Sequence, residues 1–218
     1  LGLAQPMGAV APAADRSIVD SARVAGELVL EHLRAGRTAR SFLTQAALRN
    51  AITVHAAVGG STNFLLHLPA IAAEAGHTID LVQLQEINDA VPYLLDTRPA
   101  GRYPANLFWH AGGVPAIMWQ LRDLLDLSAL AGTGRPWGEE LDHWRASWTP
   151  DPAGALARRG LTPADVIRPR SRPLAERGAI AVLTGNLAPL GAVVKRSAVA
   201  PAGRRVVGPA LVYDSQEQ

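Results

Sequence analysis

A chain of 218 residues with 48% hydrophobic and 18% charged side chains has the length for one or two domains with a sizeable core, which excludes a disordered segment. A net charge of +2 is too small to drive nucleic-acid binding, in spite of a pI near 9.5. The absence of cysteine excludes disulfides and leaves the chain no thiolate of its own for zinc or an iron–sulfur cluster.

The charge is uneven: residues 1–149 are slightly acidic and residues 150–218 are basic. That asymmetry reads as a solvated linker with a basic face, or more sharply as attraction for an anionic substrate. No apolar run reaches membrane-spanning length. The best stretch, 52–73, is interrupted by His55, Gly59, Gly60, Asn63, His67 and Pro69. No signal peptide is visible and a cytoplasmic location is expected.

Taken in chain order, residues 17–34 predict an amphipathic helix. Val19, Ala22, Gly26, Val29, Leu30 and Leu33 share one face, Asp20, Arg23, Glu27, Glu31 and Arg34 the other, and Gly36 ends it. Thr44 caps a second helix running to about residue 57. After the Gly59-Gly60 break comes a helix over about 63–75, apolar all round and therefore expected to be interior. Asp80 caps a further helix through Leu81, Leu84 and Ile87, and residues 91–95 read as a short buried strand.

A second pair, Gly112-Gly113, opens a helix to about residue 125, with Pro115 in its first turn. Two helices introduced by glycine pairs suggest N-termini that face one site. Residues 149–177, rich in proline and arginine, read as a connector in which Thr162-Pro163 starts a helical turn. Beyond them, 179–183, 192–198, 204–207 and 210–213 read as strands separated by Gly and Pro.

The most informative stretch is Gly59-Gly60-Ser61-Thr62-Asn63, a glycine turn opening onto hydroxyl and amide side chains at the mouth of an apolar helix. Ser61, Thr62 and Asn63 are candidate substrate-binding residues. The competing reading is that they cap the helix. A phosphate loop is excluded because its lysine and wider glycine spacing are missing. The spacing of His55, His67 and His110 matches no metal motif, so each reads as a structural histidine. Lys195 reads as a surface strand residue. Glu139, Glu140 and Asp142 beside Trp137 and Trp144 read as a solvated helix face with aromatic anchors.

In its wider setting this motif resembles the dihydroxy-acid and sugar-acid dehydratases. The resemblance rests on Leu48-Arg49-Asn50-Ala51, His55-Ala56-Ala57, Gly59-Gly60-Ser61-Thr62-Asn63 and Leu66-His67-Leu68. Ala111-Gly112-Gly113-Val114-Pro115, Gly185-Asn186-Leu187-Ala188-Pro189 with Gly191 and Lys195, and Gly208-Pro209-Ala210 with Asp214-Ser215 continue it, so it spans essentially the whole chain in order. Phe42-Leu43-Thr44, Glu140-Leu141-Asp142 and Trp144 look like the aldonic-acid branch, with xylonate dehydratase the nearest member.

The resemblance implies an α/β fold class: the mostly helical later part of an N-terminal domain (1–148), the connector (149–177), and the first strands of a β-barrel-like C-terminal domain (178–218). It implies a hydro-lyase that converts a 2,3-dihydroxy carboxylate to a 2-keto-3-deoxy acid with an iron–sulfur cluster and Mg2+. A small sugar acid as partner and a homo-oligomer when full length are also implied, with no nucleic acid and no membrane. The family's cluster cysteines, magnesium ligands and serine base match no position here. The chain is therefore expected to be a central fragment, inactive alone. A truncated, inactive paralogue serving as an interaction protein is the alternative.

Overall fold

The computed structural model describes residues 1–200, 203, 205 and 207–215. The first long helix, α1 (Ser17–Arg34), has the predicted bounds, and a left-handed Gly36 follows it. A short α2 (Ala39–Phe42) leads into α3 (Gln45–Val58), where the Thr44 hydroxyl accepts the Ala47 N–H at 3.2 Å. Left-handed Gly59, with φ of 61°, terminates α3 as a helix C-cap glycine does.

Next come α4 (Phe64–Glu74) and α5 (Leu81–Ala90), the latter capped by Asp80, whose carboxylate accepts the Gln83 N–H at 2.8 Å. Then α6 (Asn106–His110), α7 (Gly113–Gln120), α8 (Trp137–Ser147) and α9 (Pro163–Val166) complete the helical part. The helix opened by Gly112-Gly113 is shorter than expected, and a separate 3-10 turn covers Arg122–Leu124. Among the described residues no helix is long and apolar enough to cross a membrane.

The core lies between α3, α5 and α7. Leu48, Ile52, Leu84, Leu94, Ile117 and Leu141 are almost fully removed from water, and each contributes about 1.5–3 kcal/mol of burial. Residues 91–96 run buried through it. Among the described residues they make no ladder, only single bridges from Tyr93 to Ala175 and from Leu95 to Ile167. The Leu94 N–H donates to the Ala57 carbonyl and the Leu94 carbonyl accepts the Arg168 N–H, both at 2.8 Å. The expected strand is thus an extended spine gripped from both sides.

The 149–177 stretch does not float in solvent as a linker would. The Asp96 N–H donates to the Val166 carbonyl and the Leu174 N–H to the Tyr93 carbonyl, both at 2.9 Å. Its arginines meet acidic partners from earlier in the chain: Arg168 reaches Asp96 at 3.5 Å, Arg177 reaches Asp89 at 3.7 Å, and Arg170 pairs with Asp123. Much of the charge asymmetry along the sequence is mutual neutralisation in three dimensions.

Three expectations are corrected. The β-barrel-like opening of the last segment is not formed: β1 (Ile180–Gly185) and β2 (Ala188–Lys195) make a two-stranded antiparallel hairpin that, among the described residues, pairs with no further strand. A barrel needs each edge paired with another strand. Here 196–198 turns into a 3-10 helix and 210–213 forms no strand, while the strand expected over 204–207 falls partly on positions outside the described residues. Pro189, expected to separate strands, sits inside β2 beside a register irregularity, at a position with no partner in the ladder. Finally, α4 is not interior on all sides: Leu68 and Ala72 are buried, whereas Leu66 is 74% exposed.

Candidate functional site

The Gly59–Asn63 turn sits between two cavities. On one side an ideal Cβ at Gly59 would meet the Tyr93 ring at 2.7 Å and the Ala179 side chain at 3.0 Å. Tyr93 and Ala179 line a cleft of about 520 Å³ together with Asp96, Arg177, Arg196 and Ser197. On the other side a Cβ at Gly60 would fall 2.3 Å from the His55 ring. His55 and Phe64 line an apolar cavity of about 410 Å³, to which Val114 in the first turn of α7 also contributes. Phe64 of α4 and Val114 of α7 thus share a cavity, whereas Gly112 faces Trp144 and Trp148. A side chain at either glycine would collide with a ring, Tyr93 at Gly59 and His55 at Gly60.

His55 organises the turn. Its ring stacks on Phe64 at 4.0 Å between centroids. Nε2 lies 2.9 Å from the Ser61 carbonyl, which can only accept, so Nε2 carries the proton. Nδ1 is then a bare lone pair, buried and without a partner among the described residues. Burial, aided by the charge of Lys195 and opposed by the Ser61 bond, holds the His55 pKa below its ordinary 6.5. The folded chain refuses a proton that the unfolded chain accepts. Stability from this group is thus complete above about pH 6.5 and is lost as pH falls below that value. Denaturant titrations from pH 8 to pH 5 are expected to show this decline, with His55→Gln flattening it; parallel curves for the two proteins would contradict it.

The structure places Ser61, Thr62 and Asn63 at the exposed mouth of α4. The Ser61 hydroxyl accepts the Asn63 N–H at 3.2 Å, and the Ser61 carbonyl accepts the Phe64 N–H. Asn63 holds the N-cap position with helical backbone angles, and its side chain caps nothing. Among the described residues the side chains of Thr62 and Asn63 make no hydrogen bond, so both are free to meet solvent or a ligand.

Sequence reading missed the polar cleft. Burial, with the Asp96 carboxylate close by, pushes the Tyr93 hydroxyl above its ordinary value and keeps it a proton donor. Asp96, itself buried, accepts from the Arg102 backbone N–H and from Arg102 Nε, each at 2.8 Å. Arg196 Nη2 donates to Asp89 at 3.3 Å and to the Ile180 carbonyl at 3.2 Å, while its Nε is buried without a partner among the described residues. About a hundred residues separate Tyr93 from Arg196, and no local spacing announces the pair. The orphaned His55 Nδ1 was equally silent, although the Gly60 beside it was visible.

The remaining candidates take ordinary roles. His67 is exposed, and His110 is buried 3.7 Å from Asp151. Lys195 is half-buried at the end of β2. Glu140 corrects the solvated-face reading: it is buried, accepting from the Thr133 hydroxyl at 2.6 Å and from Arg135 Nε at 3.0 Å.

The residues present do not fit an iron–sulfur cluster or a magnesium ion. Cysteine is absent, and among the described residues no three His, Asp or Glu side chains converge on a point.

Residues 1–140 match the dihydroxy-acid/6-phosphogluconate dehydratase N-terminal model, and residues 165–218 match the corresponding C-terminal model. The dihydroxy-acid dehydratase of Methanococcoides burtonii is 42% identical over 218 residues, covering 100% of this chain and 37% of the relative. Those of Nitratidesulfovibrio vulgaris Hildenborough and Moorella thermoacetica are 41% and 40% identical, again across 100% of this chain and 37% of theirs. The chain thus spans 37% of the length of these curated relatives. Matches of this extent, in order along both regions, show that the chain belongs to the dihydroxy-acid/6-phosphogluconate dehydratase family.

Proposed function

We propose that this chain is part of a hydro-lyase that removes water from a 2,3-dihydroxy carboxylate to give a 2-keto acid, and that its substrate is a sugar acid of the aldonate class, such as xylonate. The observation that carries the dehydratase reading is the match to both family regions in sequence order. The aldonate reading is supported by the cleft beside the Gly59–Asn63 turn, where Tyr93, Asp96, Arg196 and Ser197 offer donors and acceptors suited to a polyhydroxylated chain. A dihydroxy acid with an apolar tail is the second reading, favoured by the names of the relatives and by the apolar cavity on the other side of the turn.

In this reading Thr62 and Asn63 donate or accept at substrate oxygens, and the His55–Ser61 bond holds the turn in place. The acid–base and metal-binding groups of such a reaction lie in polypeptide outside these 218 residues. The 218-residue chain is accordingly expected to be inactive alone.

The test uses the longer protein that contains this chain, assayed with an aldonate and with a branched-chain 2,3-dihydroxy acid. Turnover of the aldonate alone supports the proposal in full. Turnover of the branched-chain acid alone overturns the substrate class, and turnover of neither overturns the function. In the same protein Asn63→Ala is expected to lower kcat/KM about 10–100-fold, the loss of one hydrogen bond to a charged or polarised oxygen. Its thermal midpoint should be unchanged, because the Asn63 side chain caps nothing. A lowered midpoint with unaltered kinetics would return Asn63 to the capping role.

A further inference from the structure

A cavity of about 710 Å³, larger than either of those beside the Gly59–Asn63 turn, lies along α1. Its long wall is apolar: Ile18, Ala22, Val29 and Leu33 of the helix line it, and Leu3 and Phe42 add to it. At 1.5 Å per residue that wall runs about 22 Å from Ile18 to Leu33. None of the α1 residues is buried, and Val29 and Leu33 stay 64% and 73% exposed, so the groove is open and its wall is in water. A ligand that covered it would gain the free energy of that apolar surface. The two ends differ in charge. Asp15 and Asp20 stand at the start of α1, whereas Arg37, with Thr38 beside it, lines the cavity near the helix end. The Arg37 guanidinium is held in place. His32 Nε2 lies 3.0 Å from the Gly132 carbonyl, which only accepts, so Nε2 carries the proton and Nδ1 accepts from Arg37 Nη1 at 3.4 Å. Between Glu31 and Glu74 the chain has Arg34, Arg37, Arg40 and Arg49 and no carboxylate. Among the described residues none of these arginines enters an ion pair.

We infer that this groove binds a medium-chain carboxylate, a single-tailed amphiphile whose alkyl chain lies along the α1 wall and whose carboxylate meets Arg37. The inference stands apart from the dehydratase reading. A polar ligand would leave Val29 and Leu33 in water, and a neutral hydrocarbon would leave Arg37 without an anion. The reversed amphiphile would bring its carboxylate towards Asp15 and Asp20, a like-charge approach that costs affinity. Charge also separates a single amphiphile from a membrane surface. The helix carries Asp20, Glu27 and Glu31 against Arg23 and Arg34, the wrong balance for a helix that lies on anionic lipid.

Calorimetric titration of decanoate, decanol and hexanoate into this chain tests the inference. Decanoate is expected to bind saturably, one per chain, with a Kd of roughly 10–100 µM. Hexanoate, four methylenes shorter, is expected to bind at least about tenfold more weakly. Decanol, with the same tail and no charge, is expected to be weaker by about three- to tenfold. Arg37→Gln is expected to erase the difference between decanoate and decanol, and Val29→Glu to abolish binding of both. Val29 and Arg37 are both exposed, so circular dichroism is expected to be unchanged by either substitution. Absence of saturable decanoate binding overturns the inference. So does equal affinity for decanoate and decanol in the parent chain, a preference that survives Arg37→Gln, or binding indifferent to Val29→Glu. Binding to this chain that disappears in the longer protein containing it also overturns the inference, because other polypeptide then fills the groove.

Discussion

Gly59→Ala is expected to destabilise the chain by about 3 kcal/mol. Two independent costs add. The residue sits at φ of 61°, where a side chain costs roughly 1–2 kcal/mol. Its new methyl would lie 2.7 Å from the Tyr93 ring and 3.0 Å from Ala179, an overpacking that costs about 1–3 kcal/mol. The Tyr93 ring is itself buried, so moving it away from the new methyl would disturb its other packing. For a chain of this size the thermal midpoint is expected to fall by about 6–12 °C. Gly60→Ala, which meets the His55 ring without positive φ, is a useful comparison. A Gly59→Ala midpoint within about 2 °C of the parent would mean that the turn is not held by the two rings.

Leu94→Ala is the second substitution with a large expected effect, a loss of about 3 kcal/mol within the range for emptying a buried leucine site. Leu94 is fully buried in the central spine. Its backbone is held to α3 on one side through Ala57 and to the 149–177 stretch on the other through Arg168. Collapse around the missing methyls would have to displace one of these grips, so the cavity is expected to persist. Guanidinium unfolding should show a lower midpoint with an unchanged slope. An unaltered midpoint would contradict the placement of Leu94 at the centre of the core.

The helical part of the fold was legible because its signals are local. The stripe Val19–Leu33, the caps Thr44 and Asp80 and the stop at Gly59 each act within a turn or two of their own position. Direction of burial was less legible. A stripe such as that of α1 states that a face is apolar, and says nothing about whether this chain supplies the cover. Glu140 misled for the same reason, since its acidic neighbours suggested solvent while Thr133 and Arg135 fold back over it.

The barrel expectation failed because strand pairing is non-local. Alternation over 204–207 and 210–213 describes strand-competent sequence without naming a partner, and among the described residues only 180–185 and 188–195 find one. Of the candidate site, the glycine turn was readable and its neighbours were not. Tyr93, Asp96 and Arg196 come together through the bridges of residues 93–96 to the 149–177 stretch, which no spacing in the sequence encodes.

Those bridges have a mechanical consequence. The start of the second family-matched region is stitched to the core at Tyr93, Leu94 and Asp96 and carries buried Val166 and Ile167 with it. A segment so fastened cannot serve as a swivel. The helical body and the base of the hairpin are then expected to move as one piece.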